Sequence, residues 1–192
     1  MILPKPIKLK VERYIGGLSQ LKKIDNPIKL SANESALGPS PKAIMAFENY
    51  KDKIFKYPES DSNSLREVLS KEFNINSKRI ICGSGSDQIF DLTCRLFLEP
   101  GDEVIVTEFG FIMYRIYASL HKAKVVLAKE NFFKASIDEI LKKVTDKTKI
   151  VFIANPNNPT GTYLSKNEML NLRKKLRSDI LLVVDDAYFE FL

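Results

Sequence analysis

Ile150-Val151-Phe152-Ile153-Ala154-Asn155-Pro156-Asn157-Asn158-Pro159-Thr160-Gly161 begins as a strand with no polar face and ends as a rigid turn. Its apolar side chains follow one another without alternation, so a sheet containing this run must be covered on both sides. Similar runs flank it. Upstream lie Arg79-Ile80-Ile81-Cys82, Glu103-Val104-Ile105-Val106-Thr107 and Ala123-Lys124-Val125-Val126-Leu127; downstream lies Ile180-Leu181-Leu182-Val183-Val184. Helical spacings separate them: Leu65, Val68, Leu69 and Phe73; Ile89, Phe90, Leu92, Leu96 and Phe97; then Ile112 to Leu120. Ser136 with Glu139 carries the capping-box signature of a helix running to Val144, and Ser165 with Glu168 carries the same signature for another. This alternation predicts an α/β domain with a mainly parallel sheet and helices on both faces.

The N-terminal third reads differently. A polar arm runs through Pro27, and Gly38-Pro39-Ser40-Pro41 opens a helix that Ser40 can cap, with Pro41 at a first position where its missing N–H is harmless. The expected organisation is residues 1–60 as arm and first helix, and residues 61–192 as the alternating domain. At 192 residues, 44% hydrophobic, the chain is long enough to bury roughly 70% of its unfolded surface without disulfides or a metal. Cys82 and Cys94 therefore read as buried thiols of a reducing compartment. The single histidine, His121, excludes a two-His zinc site and leaves little room for a Ser-His-Asp triad. Any chemistry must come largely from a borrowed group.

The net charge of +6 does not mark a nucleic-acid surface, because lysine pairs such as Lys22-Lys23 and Lys142-Lys143 sit beside acids along the whole chain. Pro4 stands where a leader needs an apolar run, and nothing approaches the roughly eighteen apolar residues of a membrane span. The expected location is cytoplasmic.

In parallel sheets, ligands bind outside the carboxyl ends of the strands. After Cys82 comes Gly83-Ser84-Gly85-Ser86-Asp87-Gln88, whose glycines permit a tight turn and whose helix-start N–H groups suit a phosphate dianion; an ordinary flexible turn fits as well. After Thr107 come Phe109 and Phe111, which could offer a flat face to a planar ring or simply pack in the core. After Ala154, asparagine fills three of four positions, more than a turn requires, with the amides aimed at one edge. After Val184 comes Asp185-Asp186-Ala187-Tyr188. A carboxylate leaving an apolar strand needs a cationic partner, which leaves Mg²⁺ and a protonated ring nitrogen both open.

In this order, Gly83 to Gln88, Asn155 to Gly161 and Asp185 to Tyr188 resemble the pyridoxal-phosphate aminotransferases of fold type I. Lys29-Leu30-Ser31-Ala32-Asn33-Glu34, Gly38-Pro39-Ser40-Pro41 and Tyr57-Pro58 resemble the histidinol-phosphate aminotransferase branch, and the likeness spans about residues 14 to 190. The resemblance implies that Ser86, Asp87 and Gln88 hold the phosphate of pyridoxal 5'-phosphate, and that Phe111 stacks on its ring, with Phe109 as fallback. It implies that Asn158 and Tyr188 bond the phenolic oxygen, and that Asp185 keeps the pyridinium nitrogen protonated. Tyr57 would reach the cofactor phosphate of a neighbouring subunit, so a homodimer is implied, and Tyr14 and Asn33 would lie near substrate. The implied reaction, a step of histidine biosynthesis, moves an amino group between glutamate/2-oxoglutarate and imidazole-acetol phosphate/histidinol phosphate.

Asp186 stands where the family usually has glutamate, a position without a cofactor contact. Gly16 replaces a proline common after the N-terminal tyrosine, which loosens the substrate assignment. In the family the Schiff-base lysine and the carboxylate-binding arginine come later, so both are expected beyond Leu192, in the rest of the large domain and in a C-terminal small domain absent here. Residues 61–192 would then be part of the large, cofactor-binding domain. Lys166 follows a serine as the family's lysine does, but its capping box places it in the first turn of a surface helix. The rival readings are an aromatic or other amino-acid aminotransferase, a phosphothreonine-type decarboxylase on the same scaffold, a non-catalytic remnant, and a nucleotide-binding module that lacks its third glycine.

Overall fold

The computed structural model describes Val11, residues 14–18, Ile24 and residues 28–192. Most of the arm read through Pro27, including Pro4 and the Lys22-Lys23 pair, lies outside the described residues. Contacts divide the chain into two compact units, Ile15–Gly83 and, with Tyr14, Ser84–Leu192.

The first unit carries helices α1 (Pro41–Tyr50) and α2 (Asn63–Phe73). Pro41 occupies the expected first turn, but the Ser40 side chain makes no capping bond. No residue of either helix is buried. The clearest tie is Arg66, whose Nε and Nη2 donate to the Ser77 carbonyl at 3.0 and 2.7 Å. The strand expected over Arg79–Cys82 does not form. Ile80 is extended (φ −105°, ψ 128°), yet no strand among the described residues pairs with it and Ile81 is 77% exposed. Apolar character alone does not make a strand; a ladder partner does.

The second unit is built on a four-stranded parallel sheet, β1 (Glu103–Thr107), β2 (Lys124–Ala128), β5 (Thr148–Ala154) and β6 (Leu181–Asp185), in the order β2-β1-β5-β6. Two of the runs are covered on both sides: β1 is buried along its whole length, and so is β5 except at Lys149, whereas β6, at the sheet edge, is only partly buried and Val184 is exposed. Helices α3 (Gly85–Phe97) and α4 (Met113–Leu120) cover one face, where Phe90, Tyr114, Val104, Val106, Ile150 and Phe152 meet. Helices α5 (Ile137–Lys142) and α6 (Lys166–Lys175) cover the other, over Ile105, Val151, Ile153 and Leu172. The period-two direction of strand side chains sends Val104, Val106, Ile150 and Phe152 one way and their neighbours the other. Of the two thiols, Cys94 is fully buried and pushed up to about 12 by desolvation, while Cys82 is half-buried.

A small hairpin, β3 (Glu130–Asn131) with β4 (Lys134–Ala135), has no glycine signal. Its tip is Phe132-Phe133, both at positive φ (51° and 62°), where Asn-Gly is usual. Lys134 fastens it to α6 by a 2.9 Å ion pair with Glu168.

The capping box of α6 is complete: Glu168 N–H donates to Ser165 Oγ at 3.3 Å, and Ser165 N–H donates to Glu168 Oε2 at 2.6 Å. Ser136 is only half a box, because the Glu139 carboxylate turns to Lys142. Lys134 first, then Ser165, hold the Glu168 carboxyl down at about 2. Its folded-state pKa is depressed, so its stabilisation is present above the unfolded value of about 4.3 and is lost as pH falls through about 2. Ser165→Ala should loosen α6 by about 1 kcal/mol, read as faster amide hydrogen exchange confined to that helix. Unchanged exchange would mean that the cap contributes nothing.

Candidate functional site

The strand order reverses at β1, whose neighbours β2 and β5 follow it on opposite sides, and the expected ligand crevice lies at the carboxyl ends there. After β1 the chain turns tightly, with Gly110 N–H donating to the Thr107 carbonyl at 3.1 Å. The two aromatics of that turn part company. Phe109 packs on Phe133 with ring centroids 5.2 Å apart, whereas Phe111 stands edge-on to Tyr114 at 5.7 Å and lines a concavity.

After β5 both X-Pro bonds, Asn155-Pro156 and Asn158-Pro159, are cis, and Gly161 closes the turn at φ +70°, a left-handed conformation that favours glycine. The three asparagine amides do not share one edge, as the sequence reading expects. Asn155 is spent on Leu164, donating to its carbonyl at 3.0 Å and accepting from its N–H at 2.7 Å, like one rung of a ladder. Asn157 donates to the Phe109 carbonyl and to Thr160 Oγ1. Only Asn158 faces the concavity, its amide donating to the Tyr188 hydroxyl at 3.4 Å. The first two amides thus tie the turn to backbone groups of neighbouring segments, at Leu164 and Phe109.

After β6, Asp185 receives two donors, one per oxygen: Tyr114 O–H to Oδ2 at 2.6 Å and Ala187 N–H to Oδ1 at 3.2 Å. Its backbone carbonyl accepts from Asn155 N–H at 2.9 Å, which ties the ends of β5 and β6 together. Asp186 is exposed and takes no part; desolvation first, then the charge of Asp185, pushes its carboxyl up. Among the described residues no group of three His, Cys, Asp or Glu is placed to hold a metal ion.

At the start of α3, Gly85 has φ +77°, and Ser84 caps with its backbone only. Ser86 lines the concavity and Asp87 sits in the first turn. Gln88 does local work, its side-chain oxygen accepting from Ser84 N–H at 2.6 Å. Helix geometry leaves the N–H groups of Gly85, Ser86 and Asp87 without intrahelical acceptors.

Ser86, Phe111, Asn158, Asp185 and Tyr188 therefore surround one concavity, floored by Ala154 and Pro156. At about 100 Å³ it is well below the roughly 300–1,000 Å³ of a closed small-molecule pocket, so these residues form one wall of a site. A larger groove, about 930 Å³, opens at the amino ends of β5 and β6. It gathers none of the strand-end motifs, and the Arg173 guanidinium in it is committed to the carbonyls of Leu176, Arg177 and Ile180. Tyr57 is 95% exposed in the Ile15–Gly83 unit, where Asn33 is also exposed; Tyr14 is exposed as well. Lys166 is exposed at the first position of α6, the helix covering the sheet face opposite to Phe111.

The residue the sequence reading missed is Tyr114. Its signal was available: a tyrosine three residues beyond Phe111 on a buried helix face must find an acceptor for its hydroxyl.

The chain belongs to the class I and II aminotransferases, whose family pattern it matches over residues 25–192. Within that family it is similar along its whole length to the histidinol-phosphate aminotransferase of Pelagibacter ubique (strain HTCC1062): 57% identical over 192 residues, which are 53% of that relative. A second histidinol-phosphate aminotransferase, from Paramagnetospirillum magneticum, is 45% identical over 188 residues, 98% of this chain and 52% of the relative. The chain thus spans about half the length of the curated relatives it matches. The crystal structure of histidinol-phosphate aminotransferase from Sinorhizobium meliloti in complex with pyridoxal-5'-phosphate superposes with a TM-score of 0.79 at 26% identity, over 83% of this chain and 44% of that one.

Proposed function

We propose that these residues are the N-terminal arm and most of the cofactor wall of a pyridoxal-phosphate-dependent histidinol-phosphate aminotransferase. The observation that carries the reading is the single concavity where Phe111, Asn158, Tyr188 and Asp185 meet the amino end of α3. Such a donor set fits pyridoxal phosphate: an aromatic wall for a flat ring, an amide and a phenol for its oxygen, a carboxylate for its ring nitrogen, and unpaired helix N–H groups for its phosphate. When bound, the cofactor supplies an electron sink for the carbanion left when substrate Cα loses its proton.

The remaining work belongs to the chain. Ser86 and Asp87 hold the phosphate end, and Phe111 shields one ring face from water. Asn158 and Tyr188 orient the ring from its oxygen side, and Asp185 holds the proton on its nitrogen. Gln88 supports the phosphate site indirectly, through its bond to Ser84 N–H. Tyr57, Tyr14 and Asn33 contribute to phosphate and substrate contacts in a cytoplasmic homodimer. The lysine that links the cofactor, and the arginine that binds the substrate carboxylate, come from beyond Leu192. Among the described residues no helix is long and apolar enough to cross a membrane.

Full-length protein loaded with cofactor, reduced with borohydride and digested, should yield a cofactor-labelled lysine beyond residue 192 and catalyse amino transfer from histidinol phosphate to 2-oxoglutarate. A label on Lys166 or any other lysine of this chain would overturn the assignment. Transfer from aromatic amino acids with none from histidinol phosphate would move the protein to the neighbouring specificity.

A further inference from the structure

We propose that Tyr114 is a positioning residue for the cofactor ring, acting through Asp185: its hydroxyl fixes the carboxylate plane and its ring edge sets Phe111, so that one buried side chain places both the acid and the aromatic wall. The inference rests on the reading of Asp185 as the partner of the ring nitrogen.

Tyr114 is 1% exposed and held on three sides. It stacks on Phe152, with centroids 5.0 Å apart and planes within 6°, and meets Phe90 edge-on at 5.0 Å and Phe111 edge-on at 5.7 Å. A ring clamped in this way cannot swing, so its hydroxyl stays against Asp185 Oδ2 at 2.6 Å. A buried phenol needs some acceptor, and a carbonyl would meet that need without consequence for the site. The acceptor here is the one acid that leaves β6 into the concavity. Ala187 N–H holds the other oxygen, so the carboxylate is pinned from two sides while each oxygen keeps a second lone pair.

The test uses full-length protein loaded with pyridoxal phosphate carrying ¹⁵N in its ring, and the variants Tyr114→Phe and Asp185→Asn. Tyr114→Phe keeps the stack and removes only the hydroxyl. It should move the ring-nitrogen resonance toward its unprotonated position and raise the cofactor dissociation constant about tenfold, the scale of one hydrogen bond to a charged group. Asp185→Asn should move the same resonance further. If Asp185→Asn shifts the signal and Tyr114→Phe shifts neither signal nor affinity, the positioning role is wrong while the function proposed for Asp185 stands. A loss of apoprotein thermal stability in Tyr114→Phe with an unmoved resonance would make the contact structural only and would also overturn the inference. An unmoved resonance in Asp185→Asn would overturn the reading of Asp185 itself.

Discussion

Asp185→Ala should abolish amino transfer by the full-length protein and leave its fold standing. The two halves of that expectation have separate grounds. The fold does not depend on the carboxylate: the backbone of Asp185 stays in the ladder opposite Ala154, and its carbonyl still accepts from Asn155 N–H. The stability loss should come mainly from the orphaned, buried Tyr114 hydroxyl, on the order of 1–3 kcal/mol, because the other donor, the Ala187 N–H, belongs to an exposed residue. Activity, by contrast, loses the one fixed negative charge that lines the concavity. Removing a preorganised electrostatic contact at a reacting group lowers turnover on the order of 10²–10³-fold, and a charge that keeps a proton in place throughout the reaction belongs at or beyond the upper end. Single-turnover kinetics beside a circular-dichroism melt measures both. Near-normal turnover with an intact fold would remove Asp185 from the mechanism.

The parts of this protein that were legible in the sequence are those decided by local pattern. Unalternated runs such as Ile150–Ala154 declare burial on both faces, and Ser165 with Glu168 declares a helix start, because the atoms concerned lie within a few residues of one another. The parts that were not legible depend on partners distant in the chain. Arg79–Cys82 reads as a strand but has no ladder partner. Asn155, Asn157 and Asn158 read as three equal amides, and only the contacts to Leu164, Phe109 and Tyr188 separate two turn-builders from one site residue. Phe109 and Phe111 are likewise equivalent in the sequence until Phe133, brought over by the β3–β4 hairpin, takes the first of them. Tyr114 belongs with these. The sequence says only that its buried hydroxyl needs an acceptor; that the acceptor is Asp185, 71 residues away, depends on the fold.

That dependence makes Phe152 the residue at which stability and site meet, and Phe152→Ala should be the most destabilising of these substitutions. The side chain is 1% exposed in the middle of the central strand β5, stacked on Tyr114 and edge-on to Phe90 at 5.9 Å. Truncation removes its transfer free energy and leaves a cavity against two rings that cannot collapse into it, a loss of about 3–5 kcal/mol. Typical domains have only about 5–15 kcal/mol in total, so soluble yield and the urea midpoint of the full-length protein should both fall steeply. Phe152→Leu, which keeps most of the volume, should fold and yet give up the flat surface on which Tyr114 lies. If the stack is what aims the phenol at Asp185, Phe152→Leu will weaken cofactor binding in the same direction as Tyr114→Phe, and the double variant will lose less than the sum of the two. Additive losses would mean that Phe152 supports the sheet alone, and that the hydroxyl finds Asp185 without it.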